Sequence, residues 1–391
     1  MSIAYVSRAI EKPIIKAAGQ FPVIVVTGPR QTGKSTLLKA LFPRYSYVTL
    51  DNPTHRAAAV SDPAMFMENL GTPVIIDEIQ YAPGLLPYIK MAVDGNRAKK
   101  GRYILTGSQI FPLMAGISES LAGRAALFEL LGFSYEELNL AAAESPKDCF
   151  KRIYKGFYPD PCVHKIPPQE YYAGYLSTYL ERDIRQIKSV HDISTFQAFL
   201  QLLAARTGGL LNLSEISKEC GISQPTARNW LSLLESTRIV YLLKPYFRNI
   251  TKRVVKTPKL YFTDTGLLAY LLKYQDAATL LAGPMAGAFF ENLVVVEVLK
   301  KKFNHRRLFE PYFYRDTNKN EVDLVLDLGQ RFIIAEIKMS MNLRPELAKT
   351  FRALPAPFNT TESYVVSFAR ENLALAENVR ALAWEKFVGM L

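Results

Sequence analysis

The 391-residue sequence has few residues of the kinds that build metal centres and disulfide frameworks. Its four histidines are scattered, and their spacing does not predict a zinc site. Its three cysteines, Cys149, Cys162 and Cys220, have no metal-ligand spacing and fit reduced thiols in a cytoplasm. No apolar run approaches the length of a membrane span, and the N-terminal segment lacks the pattern of a signal peptide. The sequence therefore predicts a cytoplasmic protein without a membrane partner.

Acidic residues are outnumbered, with 36 Asp and Glu against 48 Lys and Arg, which gives a net charge of +12. A basic protein attracts polyanions, and nucleic acid is the commonest such partner. The alternative is a generally basic surface with no specific partner. No internal repeat or low-complexity tract is evident, and the length allows two or three domains.

The positive charge is concentrated between Glu235 and Asp264, where no acidic residue occurs. Basic and aromatic side chains alternate there in a pattern typical of surfaces that contact a nucleic-acid backbone. The sequence therefore predicts DNA as a partner of this stretch. We call it the basic strip; it contains Arg238, Lys244, Arg248, Lys252, Arg253, Lys256 and Lys259, with Tyr241, Tyr246, Phe247 and Tyr261 among them.

Residues 28–35 read Gly-Pro-Arg-Gln-Thr-Gly-Lys-Ser, a complete phosphate-binding loop. The apolar run before it predicts a buried strand and residues 36–41 predict a helix, which is the context that the motif requires. Lys34 is expected to reach the β- and γ-phosphates, and the Ser35 hydroxyl to coordinate Mg²⁺. The predicted nucleotide contacts in this loop are Gly28, Pro29, Arg30, Gln31, Thr32, Gly33, Lys34, Ser35 and Thr36.

Two further apolar strands end in polar residues. The strand at residues 73–76 is followed by Asp77, expected to hold Mg²⁺ through water, and Glu78, expected to polarise the attacking water. The strand at residues 101–105 is followed by Thr106, Ser108 and Gln109. Because ligands lie at the carboxyl ends of parallel strands, one of these three is expected to sense the γ-phosphate.

Arg124, in the stretch SLAGR, is a candidate to neutralise transition-state charge, in cis or from a neighbouring subunit. The second arrangement requires a homo-oligomer, and an ordinary surface arginine is the alternative to both. Neither an Asn-Lys-x-Asp guanine reader in the nucleotide domain nor an LSGGQ-like signature occurs. ATP with Mg²⁺ is therefore the predicted ligand.

The stretches GPRQTGKST, VIIDEIQ, ILTGSQ and SLAGR, in this order, resemble a prokaryotic group of AAA+ ATPases with a C-terminal domain of unknown function. The resemblance runs the full length of the chain. It implies that Gly33, Lys34 and Ser35 bind nucleotide and Mg²⁺. It also implies that Asp77 and Glu78 are the Walker B pair, and that Ser108 or Gln109 lies at the sensor position.

The middle of the chain predicts a helical connector followed by a DNA-binding module. Residues 151–170, within the connector at 146–190, are rich in Pro and Tyr and predict an irregular stretch. Residues 191–265 predict a winged helix-turn-helix, with Ser214 and Ser223 as helix caps and strands at 239–243 and 259–262 as the wing. A winged helix used only for protein contacts is the alternative. Side chains available to a DNA groove are Gln224, Arg228 and Asn229.

Residues 280–391 carry a second candidate active site. Glu291 lies on a predicted helix, Asp323 on a strand, and Glu336 with Lys338 on one face of the next strand. Asp323 and Glu336 suit a Mg²⁺ site for phosphodiester hydrolysis, with Lys338 positioning or activating water. This pattern resembles the restriction-endonuclease-like fold, with its D…E-x-K core and upstream helix glutamate. The alternatives are a surface salt-bridge network and a fold kept for binding alone.

The whole sequence thus predicts an α/β protein in three parts. A parallel-sheet P-loop NTPase domain of the AAA+ class (1–145) is followed, after the connector, by the winged helix-turn-helix (191–265) and the restriction-endonuclease-like domain (280–391). The predicted function is a DNA-associated ATPase with a nuclease-like C-terminal domain. A regulatory or signalling ATPase whose C-terminal domains only bind protein or nucleic acid is the alternative.

Overall fold

A computed structural model describes most of the chain, and the residues fall into two compact units. Unit 1 contains Met1–Leu138, Ser236–Arg238 and Phe303–Arg306, and unit 2 contains Asn139–Glu235, Ile239–Lys302 and Arg307–Leu391. The described residues are 5–108, 120–140, 145–164, 166–179, 193–246, 256–316, 318–329, 331–341, 345–352, 354, 362–369 and 372–391. Within these ranges, no helix is both long and apolar enough to cross a membrane.

Unit 1 contains a five-stranded sheet in the order β2-β3-β4-β1-β5, with every neighbouring pair parallel, as predicted. Its central strands β1, β3 and β4 are buried along their whole length, because helices cover both faces of the sheet. The strands are β1 (Val23–Thr27), β2 (Ser46–Thr49), β3 (Val74–Asp77), β4 (Tyr103–Gly107) and β5 (Ala125–Glu129). The helices are α1 (Glu11–Ala18), α2 (Lys34–Leu41), α3 (Pro53–Ser61), α4 (Pro63–Asn69) and α5 (Leu85–Asp94).

Alternate residues of β1 enter two apolar cores on opposite sides of this sheet. Val25 packs in a core with Ile76 and Leu105, whereas Ile24 and Val26 belong to the other core. This alternation follows from the two-residue period of a strand. Since β1, β3 and β4 run parallel, the segments that follow them lie along one edge of the sheet.

Unit 2 begins with three helices, which corrects the prediction of an irregular stretch at residues 151–170. They are α6 (Pro146–Lys155), α7 (Pro159–His164) and α8 (Pro168–Tyr179). Each helix starts with a proline, at a position where no backbone N–H is needed and a fixed φ favours the helix. The prolines that suggested irregularity therefore mark helix starts.

The next segment contains three helices and two strands, and the two strands lie where the sequence predicts them. These are α9 (Ile193–Ala204), α10 (Leu213–Glu219), α11 (Gln224–Ser236), β6 (Val240–Leu243) and β7 (Lys259–Phe262). Strands β6 and β7 pair antiparallel.

Of the two helix caps that the sequence predicts, the one on α11 is confirmed and the one on α10 is wrong. Ser223 Oγ accepts a hydrogen bond from the Thr226 N–H at the start of α11, as predicted. The predicted cap at Ser214 is wrong, because Asn212 precedes α10 and its Oδ1 accepts from the Glu215 N–H at 3.3 Å. Ser214 Oγ instead donates to Asn212 Oδ1 at 2.8 Å.

The rest of unit 2 is built on a mixed six-stranded sheet in the order β12-β13-β11-β10-β9-β8. β10, β11 and β13 are parallel, and the other neighbouring pairs are antiparallel. The strands are β8 (Glu310–Arg315), β9 (Glu321–Asp327), β10 (Phe332–Ile337), β11 (Glu362–Ser367), β12 (Leu373–Ala376) and β13 (Val379–Ala383). The helices are α12 (Thr265–Leu271), α13 (Ala277–Ala282), α14 (Ala286–His305), α15 (Lys349–Arg352) and α16 (Trp384–Met390).

Candidate functional site

The phosphate-binding loop joins β1 to α2 through backbone conformations that glycine favours. Gly28 has a φ of 142° and Gly33, directly before α2, has a φ of 86°. A Cβ on Gly28 would lie 2.0 Å from the Leu130 carbonyl oxygen, so only glycine fits there. The loop therefore adopts a conformation in which its backbone N–H groups lie at the N-terminus of α2.

Lys34, the first residue of α2, is buried and folded back onto the loop. Its Nζ donates to the carbonyl oxygens of Gly28 at 3.0 Å and Pro29 at 2.7 Å. Thr32 Oγ1 also donates to the Pro29 carbonyl, at 2.9 Å. These contacts place the ammonium inside the loop.

Arg8 donates hydrogen bonds to the backbone of the phosphate-binding loop and of the segment after β5. The sequence did not predict this role. Its guanidinium donates to the carbonyl oxygens of Thr32 at 2.9 Å and Leu131 at 2.8 Å. It also forms a buried ion pair with Glu137 at 3.0 Å. A single arginine far before the motif gives no pattern from which this role could be predicted.

Asp77, at the carboxyl end of β3, meets Ser35 from the start of α2. Ser35 Oγ donates to Asp77 Oδ1 at 2.9 Å, and Thr106 Oγ1 donates to the same oxygen. Tyr47 OH, from β2, donates to Asp77 Oδ2 at 2.7 Å. Burial, followed by the hydrogen bond to Asp77, raises the pKa of Tyr47, so this hydroxyl remains a donor. A hydroxyl and a carboxylate held this close fit Mg²⁺, which prefers oxygen ligands.

Glu78 follows Asp77 in a left-handed conformation, with φ 58° and ψ 47°. Its N–H donates to Thr106 Oγ1 at 3.0 Å, so Thr106 lies within the hydrogen-bond network of Asp77 and Glu78. Its Oε2 accepts from Ser108 Oγ at 3.2 Å and from the Gln80 side-chain amide. Two neighbours therefore fix the Glu78 carboxylate.

Gln80 was not assigned a role from sequence, although it lies in the stretch VIIDEIQ. Its amide nitrogen also donates to Ser108 Oγ at 3.1 Å, so it joins Ser108 to Glu78. Its Oε1 is buried and has no hydrogen-bond partner among the described residues. Gln109, the other sensor candidate, lies outside the described residues.

The outer part of the loop is more accessible. Gln31 and Thr36 are exposed. Arg30 donates to Tyr81 OH at 3.0 Å, and the guanidinium of Arg56 lies 3.9 Å from the centre of the Tyr81 ring. Two cationic side chains, those of Arg30 and Arg56, therefore contact Tyr81 in the segment that follows Glu78.

Arg124 is engaged by Asp94 at the end of α5. Its Nε lies 2.8 Å from Asp94 Oδ1 and its second terminal nitrogen lies 2.9 Å from Oδ2, which makes a two-pronged ion pair. Its remaining terminal nitrogen donates to the Ala122 carbonyl at 2.9 Å. The catalytic role of Arg124 stays a prediction, and it requires Arg124 to leave Asp94.

The C-terminal candidates lie together in unit 2, around a lysine that the sequence analysis had placed on the DNA-facing surface. Lys259 Nζ lies 3.1 Å from Glu291 Oε1 and 3.0 Å from Asp323 Oδ1. It also lies 2.6 Å from Glu321 Oε1. We call Glu291, Glu321, Asp323 and Glu336 the carboxylate cluster.

Glu336 and Lys338 lie on one face of the sheet, and Lys338 Nζ is 2.6 Å from Glu336 Oε1. Ala335 pairs with Leu324 across β9 and β10, and this register brings Glu336 next to Asp323. Burial, followed by repulsion from Asp323, raises the pKa of Glu336 to about 7. The same two causes, in the same order, raise the pKa of Glu291 to about 7. Burial would lower the pKa of Lys259, but Tyr261 and the three contacting carboxylates outweigh it and raise that pKa.

Only some side chains of the predicted basic strip are exposed on the protein surface. Lys259, Tyr246 and Tyr261 are buried, so these three cannot face DNA, which corrects the prediction. Arg238 forms an ion pair with Glu129, with one nitrogen–oxygen distance of 3.0 Å. Lys244 and Lys256 are exposed. Outside the described residues lie Phe247, Arg248, Lys252 and Arg253.

Helix α11 divides into a buried and an exposed face. Ala227 and Trp230 are buried. The three side chains that the sequence analysis assigned to a DNA groove, Gln224, Arg228 and Asn229, are exposed. Among all the residues that the structure describes, no group of three or more His, Cys, Asp or Glu side chains is arranged to hold a metal ion, and the carboxylate cluster is no exception.

Three segments of the chain match known families. Residues 20–139 match a family described as an AAA domain. Residues 146–278 and 286–387 match two domains of unknown function, DUF8612 and DUF4143. The nucleotide site and the carboxylate cluster therefore lie in segments that match different families.

The solved structures to which the chain shows some similarity include the Walker-type ATPase PABY2304 of Pyrococcus abyssi, with a TM-score of 0.43 and 15% identity over 67% of this chain and 94% of that chain. RuvB of Thermotoga maritima has a TM-score of 0.28 and 15% identity, over 60% of this chain and 85% of that chain.

Two relatives are similar over nearly the whole sequence. They are Uncharacterized protein Mb2031c of Mycobacterium bovis and Uncharacterized protein Rv2008c of Mycobacterium tuberculosis. Each is 30% identical over 375 residues, which cover 94% of this chain and 81% of the relative. The chain therefore belongs to the family of these two mycobacterial proteins, and its AAA domain makes it an AAA-type ATPase.

Proposed function

We propose that unit 1 hydrolyses ATP with Mg²⁺ at the edge of its parallel sheet, and that unit 2 couples this reaction to DNA. The observation that carries the first part is the network that connects Ser35, Asp77, Glu78 and Ser108 across three segments. These are the residue types that phosphoryl transfer to water needs, at the strand ends where ligands bind in such sheets.

Lys34 and the residues of this network have the following proposed roles. Lys34 exchanges its contacts with the Gly28 and Pro29 carbonyls for the β- and γ-phosphates of ATP. Ser35 and Asp77 hold Mg²⁺, which when bound supplies positive charge against the phosphate oxygens. Glu78 orients and polarises the attacking water, and Ser108 holds the Glu78 carboxylate at the sensor position.

The second part of the proposal places DNA on the exposed face of α11. Support comes from the exposure of Gln224, Arg228 and Asn229 beside a buried face of the same helix. Amide and guanidinium groups suit base edges in a major groove. Lys244 and Lys256, both exposed, supply charge for the phosphate backbone.

The geometry gives less support to the predicted metal-assisted DNA cleavage by the carboxylate cluster, because Lys259 already contacts three of its four members. The alternative function is a regulatory or signalling ATPase whose unit 2 binds protein. It differs from the proposal in one measurable property, the response of ATP turnover to DNA.

ATP hydrolysis measured in Mg²⁺ with and without duplex DNA tests this proposal. We expect DNA to change kcat for the wild type and to have a smaller effect on Arg228→Ala. A suitable control is Lys386→Ala, which removes an exposed charge from α16 and should respond like the wild type. A kcat that does not change when DNA is added at low salt would favour the alternative function. The absence of any ATP turnover would contradict the ATPase assignment.

A further inference from the structure

Lys259 is surrounded by carboxylates from two different elements. Glu321 and Asp323 come from β9, and Glu291 comes from α14. All three lie within 3.1 Å of the buried Lys259 ammonium. An ammonium has three N–H donors, so three carboxylates satisfy it completely.

Three of the four carboxylates already contact protein donors, whereas the fourth, Glu336, keeps one buried oxygen without a hydrogen-bond partner among the described residues. Asp323 uses Oδ1 for Lys259 and Oδ2 for the Ile337 N–H at 2.9 Å. Glu291 Oε1 also accepts from Tyr261 OH at 2.6 Å. The second oxygen of Glu321 lies 2.8 Å from Arg315. Three acids of the cluster are therefore neutralised by protein groups.

A metal ion would have to share these oxygens with Lys259. Mg²⁺ binds oxygen at about 2.0–2.1 Å in near-octahedral geometry. A divalent ion at that distance from Asp323 Oδ1 would lie close to the Lys259 ammonium, 3.0 Å from the same oxygen. Two cations so close in a buried site repel strongly, because low dielectric strengthens Coulomb interactions. The Mg²⁺ that the restriction-endonuclease-like fold implies thus does not fit the cluster in this arrangement.

We propose that Lys259 is the resident cation of the carboxylate cluster and takes the place of the metal ion that this type of fold implies. The C-terminal sheet is then a binding domain, without metal-dependent nuclease activity. Lys259 is the first residue of β7, so the same ion pairs fasten the strand pair β6–β7 to β9 and α14 within unit 2. The buried ammonium supplies a fixed connection where a nuclease would need an exchangeable ion.

Mn²⁺ binding to the full chain without nucleotide tests this proposal, with the signal of free Mn²⁺ in electron paramagnetic resonance as the readout. Asp323→Asn identifies binding at the cluster, because it leaves unit 1 unchanged. We expect the wild type and Asp323→Asn to bind Mn²⁺ equally. Lys259→Met, which keeps an unbranched side chain but removes the charge, should bind Mn²⁺ at least about tenfold more tightly. That gain should disappear in the Lys259→Met, Asp323→Asn double variant.

Three results would overturn the proposal. The first is a wild type that binds Mn²⁺ at least about tenfold more tightly than Asp323→Asn. The second is a folded Lys259→Met variant that gains no affinity. Folding is checked by tryptophan fluorescence, since both tryptophans, Trp230 and Trp384, lie in unit 2. If Lys259→Met does not fold, the comparison of the wild type with Asp323→Asn still decides. Nicking of supercoiled DNA in Mn²⁺ by the wild type, lost in Asp323→Asn, would also overturn it.

Discussion

The hydroxyl of Ser35 lies 2.9 Å from Oδ1 of Asp77, although 42 residues separate the two in sequence. The parallel order of β1 and β3 with β4 between them brings the phosphate-binding loop to the end of β3. Contacts within the chain therefore hold the loop beside Asp77 and Glu78. Such contacts matter because hydrolysis depends mainly on positioning and charge stabilisation.

Gln80 should affect turnover more than ATP binding. Its amide contacts Glu78 and Ser108, so Gln80→Leu releases the Glu78 carboxylate without touching the phosphate-binding loop. We expect kcat to fall about tenfold with KM for ATP nearly unchanged, because a hydrogen bond to a charged group contributes about 1.5–3 kcal/mol. Steady-state ATPase kinetics measure this. Gln20→Leu, the same change at an exposed position of unit 1, is the control, and an equal kcat in both variants would contradict the role of Gln80.

Gly28 should tolerate no side chain. An alanine Cβ would lie 2.0 Å from the Leu130 carbonyl oxygen at a φ of 142°, so Gly28→Ala must displace the loop. We expect at least about a tenfold loss of affinity for a fluorescent ATP analogue. Gly71→Ala is a matched control in unit 1, since a Cβ there has no heavy atom within 4 Å among the described residues. Similar affinities in the two variants would be incompatible with this account of the loop.

Glu336 should make the stability of unit 2 depend on pH. Burial and Asp323 raise its pKa from 4.5 to about 7, against the opposing effects of Lys338 and Lys259. The folded state therefore binds a proton that the unfolded chain releases at lower pH. This contribution to the free energy of unfolding is complete below the unfolded pKa and is lost as pH rises through about 7.

Urea unfolding followed by tryptophan fluorescence at about pH 5 and about pH 8 measures this effect. The wild type should lose more stability across this range than Glu336→Gln, which cannot ionise. Glu346→Gln removes an exposed carboxylate and should behave like the wild type. An equal pH dependence for the wild type and Glu336→Gln would show that Glu336 does not hold this proton.

DNA affinity should fall steeply with salt, because each phosphate contact releases counterions. Replacing both Lys244 and Lys256 by alanine should weaken binding to all sequences alike. It should also reduce the slope of log affinity against log salt by about 2, at about 0.9 per phosphate contact. Fluorescence anisotropy of labelled duplexes over a salt series measures the slope. A slope unchanged by the double substitution, or equal to that of Lys386→Ala, would remove these lysines from the DNA contact.

The parts of the fold that depend on local pattern were predictable from sequence. The apolar runs before Gly28 and Asp77 identified the buried parallel strands, and Ser223 marked the start of α11. Alternation along β10 placed Glu336 and Lys338 on one face. These predictions succeeded because strand period and capping chemistry act over a few residues.

Relationships between distant segments were not predictable in the same way. Lys259 lies in a run rich in basic residues, which suggested an exposed phosphate contact. Only the tertiary fold shows that its partners are Glu291, Glu321 and Asp323. Arg8 supports the loop through contacts with Thr32 and Leu131 that leave no trace in local sequence. Burial and ion pairs between distant segments therefore determine where Lys259 and Arg8 lie, and composition alone does not predict this.

The central claim is that Glu78 activates the water that hydrolyses ATP in the site built from Lys34, Ser35 and Asp77. A single-turnover measurement of ATP hydrolysis by Glu78→Gln, combined with ATP binding by the same protein, tests it most directly. We predict that Glu78→Gln binds ATP as the wild type does and hydrolyses it at least about 100-fold more slowly. Lys34→Ala should lose binding or hydrolysis, because the charge that faces the phosphates is removed. Wild-type turnover in Glu78→Gln would contradict the account.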